Sequence, residues 1–128
     1  MRAWAPCLYI GMNPAGYGYG AVPSTALERG SDDHAATVKT MRERFLEAEL
    51  PKYAQFFSDR LAQSGGPFVC GAAPTLADCY LVPELEKFGK GFVDHVPTDC
   101  LEAYPALGEY IAAFNALPQV RAYAQAQG

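Results

Sequence analysis

The chain has 128 residues, half of them hydrophobic, and a formal net charge of −4. This length suits one domain, and the apolar content is enough for a buried core, which excludes an intrinsically disordered chain. No basic cluster marks a nucleic-acid surface, and no apolar run reaches the ~20 residues of a membrane-spanning helix, so neither nucleic acid nor membrane is an expected partner.

Residues 1–31 form a segment rich in glycine and tyrosine, and no regular element is predicted to persist through it. Glycine frees the backbone and proline removes a hydrogen-bond donor, which breaks up residues 11–20. The apolar residues 3–12 follow one arginine and leave a signal peptide as an alternative. Because Pro6 interrupts them, we favour a cytoplasmic location.

The first helical pattern runs from about residue 33 to residue 63. Ser31 offers an N-cap, and Asp32 and Asp33 place acidic groups in the first turn. Pro51 lacks an N–H and clashes with the preceding turn, so we expect a kink there. Apolar side chains recur every three or four residues and predict one buried face. That face comprises Val38, Met41, Phe45, Ala48, Tyr53, Phe56, Phe57 and Leu61.

The next helix is predicted to begin after Thr75. Asp78 follows three residues later, which is the spacing of a capping box. The Thr75 oxygen can accept from the amide of residue 78, and the Asp78 carboxylate can reach back to the amide of residue 75. We expect this helix to bend at Pro83 and to end near Phe88. Its expected buried residues are Leu76, Cys79, Tyr80 and Leu85.

Two further helices are predicted after a loop over residues 89–99. One carries an apolar stripe at i, i+3, i+4 and i+7, and the other begins near Pro118, which suits a first helical turn. No segment alternates as a strand would, so the fold class is all-α, a helical bundle. The apolar residues of these two helices are Leu107, Tyr110, Ile111, Phe114, Val120 and Tyr123.

The cysteines and histidines match no known spacing for a metal or disulfide site. Four cysteines are spread along the chain and are expected to be reduced thiols. We expect Cys70 and Cys79 to be packed, and His34 and His95 to lie at the surface. No metal and no catalytic residue are predicted.

The order of these motifs resembles the C-terminal domain of cytosolic glutathione transferases, closest to the sigma, mu and alpha types. Phe-Val-Cys-Gly at residues 68–71 precedes Thr-Leu-Ala-Asp at residues 75–78. Tyr-Pro-Ala-Leu at residues 104–107 and Leu-Pro-Gln-Val at residues 117–120 follow at fitting distances. The resemblance covers about residues 9–123 and implies a helical domain over residues 32–128. Residues 1–31 would be a remnant of the domain's first helix, plus a loop.

The resemblance also implies roles for individual residues. Tyr9 and Met12 match the end of the helix that supplies the family's hydrophobic electrophile-binding wall, with Tyr17 and Tyr19 as further candidates. The alternative is that these side chains line no pocket. Thr75 and Asp78 match the cap of a buried central helix, a structural role. Pro74 and Cys79 stand where the family has a hydrophobic staple, and they make a weaker apolar pair.

The function implied is conjugation of glutathione to electrophiles in detoxification, with glutathione as co-substrate. The family holds glutathione on a thioredoxin-like domain whose strand–helix pattern is not present here. We therefore expect the chain alone to bind no cofactor and to be inactive. Expected partners are a second copy or a glutathione-binding domain, together with hydrophobic small molecules. The alternatives are a non-catalytic protein-interaction module and a truncated gene product.

Overall fold

The structure, a computed structural model, describes residues 31–128. Within that range the regular secondary structure is helical, and the all-α fold class is confirmed. Phe68 and Gly71 form an isolated antiparallel bridge. The helices are α1 (Asp32–Arg44), a π-helical turn (Phe45–Glu49), α2 (Leu50–Ser64), α3 (Leu76–Gly89), α4 (Pro105–Asn115) and α5 (Pro118–Gln127). The described residues divide into two compact units, 31–53 with 93–96, and 54–92 with 97–128.

In the first unit, α1 begins where the sequence predicts. The Ser31 side chain accepts a hydrogen bond from the His34 N–H at 3.2 Å. At the π-helical turn the Leu50 N–H donates to the Phe45 carbonyl five residues back. A proline at position 51 would clash with the carbonyl four residues earlier in a regular α-helix. The disturbance expected at Pro51 therefore takes the form of a wider turn just before it.

Segment 93–96 belongs to the same unit and is joined to α1 by a hydrogen bond and an ion pair. The Arg42 side chain donates to the Asp94 carbonyl at 2.6 Å, and the Asp94 carboxylate lies 3.9 Å from the guanidinium. Partial burial lowers the pKa of Arg42, and the nearby Asp94 carboxylate opposes that effect. His95 is exposed, as predicted, and has a positive φ of 62°. His34 is half-buried.

In the second unit, α3 packs against α4, and α4 contacts α5. Buried Leu and Phe side chains each contribute roughly 1.5–3 kcal/mol, so this core supplies most of the unit's stability. Its members are Ala54, Phe57, Leu61, Phe68, Val69, Leu81, Val82, Leu85, Phe88, Leu107, Tyr110 and Phe114.

The predicted face of α3 was wrong for three of its four residues. Leu76 and Tyr80 are 71% and 63% exposed, and Cys79 is also exposed. The buried stripe is instead Asp78, Leu81, Val82, Leu85 and Phe88. The first residue of the buried stripe, Asp78, is polar, so apolar periodicity predicted a different face of α3 as the buried one. Only Leu85 was placed correctly.

The buried face predicted for the first helical stretch is only partly confirmed. Phe45, Phe57 and Leu61 are buried as expected, whereas Ala48 and Phe56 are exposed. The π-helical turn inserts an extra residue, so the next buried position after Phe45 is five residues on, at Leu50. On α5, Tyr123 is 68% exposed and Val120 is half-buried.

Candidate functional site around Asp78

A tight turn over residues 65–71 precedes the site. The Phe68 and Gly71 backbones exchange two hydrogen bonds of 3.1 Å each. A Cβ on Gly66 would lie 2.3 Å from the Gly71 carbonyl carbon, so only glycine fits there. The Ser64 hydroxyl, at the end of α2, lies 2.7 Å from the Phe68 carbonyl oxygen. These contacts hold the amide of Val69 in a defined position.

Asp78 is fully buried and accepts four hydrogen bonds. Oδ1 accepts from the Val69 N–H at 3.2 Å and from the Tyr110 hydroxyl at 2.8 Å. Oδ2 accepts from the Thr75 N–H at 2.7 Å and from the Thr75 hydroxyl at 3.2 Å. The carboxylate thus joins the turn, the start of α3 and the middle of α4.

The start of α3 has the reciprocal contacts of a capping box between Thr75 and Asp78. The two halves differ in quality. The contact of the Thr75 hydroxyl with the Asp78 N–H falls short of a hydrogen bond, and that amide donates to the Thr75 carbonyl at 3.0 Å instead. The short bond from the Thr75 N–H to the carboxylate therefore makes the stronger half of the cap.

No ion pair reaches Asp78 within residues 31–128, so hydrogen bonds alone compensate its buried charge. Hydrogen bonds to a charged group are worth about 1.5–3 kcal/mol each. Burial, and then the bond to this carboxylate, raises the pKa of Tyr110, which stays a neutral donor. A carboxylate enclosed in this way suits a structural role, because no reactant can reach it.

A comparison with protein families identifies the domain. The family described as "Glutathione S-transferase, C-terminal domain" matches residues 29–127. The chain belongs to the glutathione S-transferase C-terminal domain family. No curated protein and no solved structure matches the chain. In this transferase domain, Thr75 is the N-cap of α3, and the cap includes the hydrogen bonds to Asp78.

The other residues singled out in the sequence are either outside the described residues or make no hydrogen bond to Asp78. Tyr9, Met12, Tyr17 and Tyr19 fall outside the residues that the structure describes. Pro74 and Cys79, at the staple positions of the transferase domain, are both exposed, so no buried staple accompanies the cap.

The thiols of the transferase domain are free where they are described. Cys70 is exposed, so its expected packing was wrong. Burial, with the Asp99 carboxylate, raises the pKa of the half-buried Cys100 thiol. Among residues 31–128, His, Cys, Asp and Glu side chains form no group of three that is suited to a metal ion. The helices of that range also include none long and apolar enough to cross a membrane.

Sequence reasoning missed two of the groups that hold Asp78. The Tyr110 hydroxyl lies on a helix 32 positions away in the chain, and the Val69 amide belongs to a turn. The only sequence signal was the place of Tyr110 on an apolar stripe, where a buried phenol needs a hydrogen-bond partner.

Proposed function

We propose that this chain is the electrophile-binding part of a glutathione transferase and acts together with a glutathione-binding, thioredoxin-like domain. The observation that carries the proposal is the family match over residues 29–127. In such an enzyme the partner domain binds glutathione and activates its thiol. The helical domain holds an apolar electrophile beside the thiol, so that binding supplies orientation.

Several properties follow from this proposal. The substrates are hydrophobic electrophiles, the co-substrate is glutathione, and the setting is cytoplasmic detoxification. The working assembly contains the glutathione-binding domain and is a dimer. The chain alone is inactive, since in the family the thiol-activating group belongs to the other domain.

A fusion experiment tests the proposal. The 128-residue chain is fused behind the thioredoxin-like domain of a sigma-class transferase and assayed with glutathione and 1-chloro-2,4-dinitrobenzene. The unfused chain and the unfused thioredoxin-like domain serve as controls. We expect turnover from the fusion and none from either part alone. Turnover by the chain alone, or a folded fusion without activity, would contradict the proposal.

The wall residues have a separate test in the same fusion. Replacing Tyr9 and Met12 by alanine should raise the KM for the electrophile several-fold and leave the KM for glutathione unchanged, because the lost contacts are apolar contacts to the electrophile. The control is Tyr123→Ala, since that side chain is exposed on α5. Equal electrophile KM values in all variants would remove Tyr9 and Met12 from the wall.

A second candidate function, a protein-interaction module, is favoured by the exposed apolar face of α3. Leu76 and Tyr80 are mostly exposed one helical turn apart, and exposed apolar patches mark interaction surfaces. Sedimentation velocity of the wild type and of the double variant Leu76→Ser/Tyr80→Ser tests it. Self-association that the double variant abolishes shows that this face of α3 binds a second copy of the chain, an outcome that the dimer of the first proposal shares. A wild type that stays monomeric at high concentration counts against it.

A further inference from the structure

A groove with a volume of about 350 Å³ lies between the end of α3, the loop after it and the first half of α4. We call it the α3–α4 groove. Its volume is at the small end of the range for small-molecule sites. Its apolar lining consists of Leu85, Leu101, Tyr104, Pro105 and Ile111.

Two glycines, Gly89 and Gly108, keep the groove open. A Cβ added to either would meet no atom within 4 Å. Gly108 lies inside α4 and has no positive φ, so neither its conformation nor its surroundings require glycine. Glycine inside a helix is destabilising relative to alanine. The structural effect of the missing side chain is that a ligand can lie directly against the helix backbone.

The charges around the groove favour a cation. Glu86 accepts from Lys90 Nζ at 3.0 Å and from Asn115 Nδ2 at 2.6 Å, so Glu86 and Lys90 neutralise each other. Glu102 is exposed, and its carboxylate has no partner within residues 31–128. Tyr104 also lines the groove, and an aromatic ring attracts cations.

We propose that the α3–α4 groove binds a small hydrophobic cation, an arylalkylamine, with its apolar body over Gly108 and its ammonium group at Glu102. The described residues that line this site belong to α3, α4 and their connecting loop.

Fluorescence titration of the 128-residue chain with dansylcadaverine, a primary alkylamine that carries a fluorescent naphthalene sulfonamide, tests the proposal. Gly108→Leu should weaken binding at least tenfold and leave the melting temperature unchanged or higher, because the new side chain fills the groove. Glu102→Gln, at an exposed loop position that does not carry the fold, should weaken binding three- to tenfold. Ala122→Leu on α5 and Tyr80→Ser on α3 are the controls and should bind as the wild type does.

The anionic dye 8-anilinonaphthalene-1-sulfonate tests the charge preference. It should bind the wild type more weakly than the amine, and Glu102→Gln should reduce that difference. The proposal is overturned if the wild type does not bind the amine at millimolar concentration. It is also overturned if folded Gly108→Leu binds the amine unchanged, or if amine and sulfonate bind equally well. A loss of binding in Tyr80→Ser would move the site to the exposed face of α3 and overturn it as well.

Discussion

Replacing Asp78 by alanine removes the acceptor of four hydrogen bonds in one step. Two of the donors, the Val69 N–H and the Tyr110 hydroxyl, are in residues only 7% and 2% exposed, so water cannot replace the carboxylate. Each buried donor left without a partner costs about 1–3 kcal/mol. Loss of the cap adds about 1 kcal/mol. Thr75 is exposed, so its N–H and its hydroxyl can donate to water instead of to the missing carboxylate.

The sum of these costs is about 3–7 kcal/mol. Removing a buried charge also recovers part of its desolvation cost, so we expect the lower end, about 3 kcal/mol. That is a large part of the ~5–15 kcal/mol by which domains are stable. Urea unfolding followed by helical circular dichroism measures the loss. The control is Asp59→Ala on α2, an exposed carboxylate that accepts only from Gln55 and should cost less than about 0.5 kcal/mol.

Asp78→Asn separates the hydrogen bonds from the size of the side chain. The single amide oxygen can face Val69 and Tyr110 or face Thr75, but not both, and the amide nitrogen then meets a donor. We expect the unfolding free energy of Asp78→Asn to lie between those of the wild type and Asp78→Ala. Equal urea midpoints for Asp78→Ala and Asp59→Ala would refute the reasoning, since they would show that the buried carboxylate contributes no more than an exposed one.

Three further predictions concern glycine, alkaline pH and thiols. Gly66→Ala should destabilise the fold by about 1–3 kcal/mol through its backbone clash, whereas Gly108→Ala should stabilise it by up to ~1 kcal/mol; equal melting temperatures would contradict this. Above about pH 10 the unfolded chain loses a proton that folded Tyr110, with its raised pKa, keeps. The stability advantage of wild type over Tyr110→Phe should therefore shrink by up to ~1.4 kcal/mol per pH unit in urea titrations, and a constant advantage would count against it. Exposed Cys79 should react with iodoacetamide faster than Cys100, whose thiol is half-buried with a raised pKa, as peptide mass spectrometry can measure; the reverse order would be inconsistent with the structure.

The fold class and the helix starts were predictable because their signals are local. Ser31 and Thr75 precede their helices by one residue, and Pro118 stands in the first turn of its own. A short-range hydrogen bond or a fixed φ determines each of these starts. They can therefore be read from a few neighbouring residues without knowledge of the rest of the chain.

The helix faces were harder to predict because packing determines them. The π-helical turn before Pro51 inserts one residue between the buried Phe45 and the buried Leu50, and apolar periodicity alone does not reveal such a turn. On α3 a charged residue, Asp78, points into the core, whereas the apolar Leu76 and Tyr80 do not. The partner that makes burial of Asp78 tolerable, Tyr110, is remote in sequence, so neighbouring residues gave no sign of it.

A double-mutant cycle on Asp78 and Tyr110 tests most directly whether a buried hydrogen bond ties the cap of α3 to α4. The unfolding free energies of Asp78→Asn, Tyr110→Phe and the double variant are measured in urea. Groups in one network couple by about 0.5–3 kcal/mol, and we expect a value above 1 kcal/mol here because the bond is charged and buried. Additive losses, within about 0.5 kcal/mol, would show that the two side chains act independently and would contradict this account.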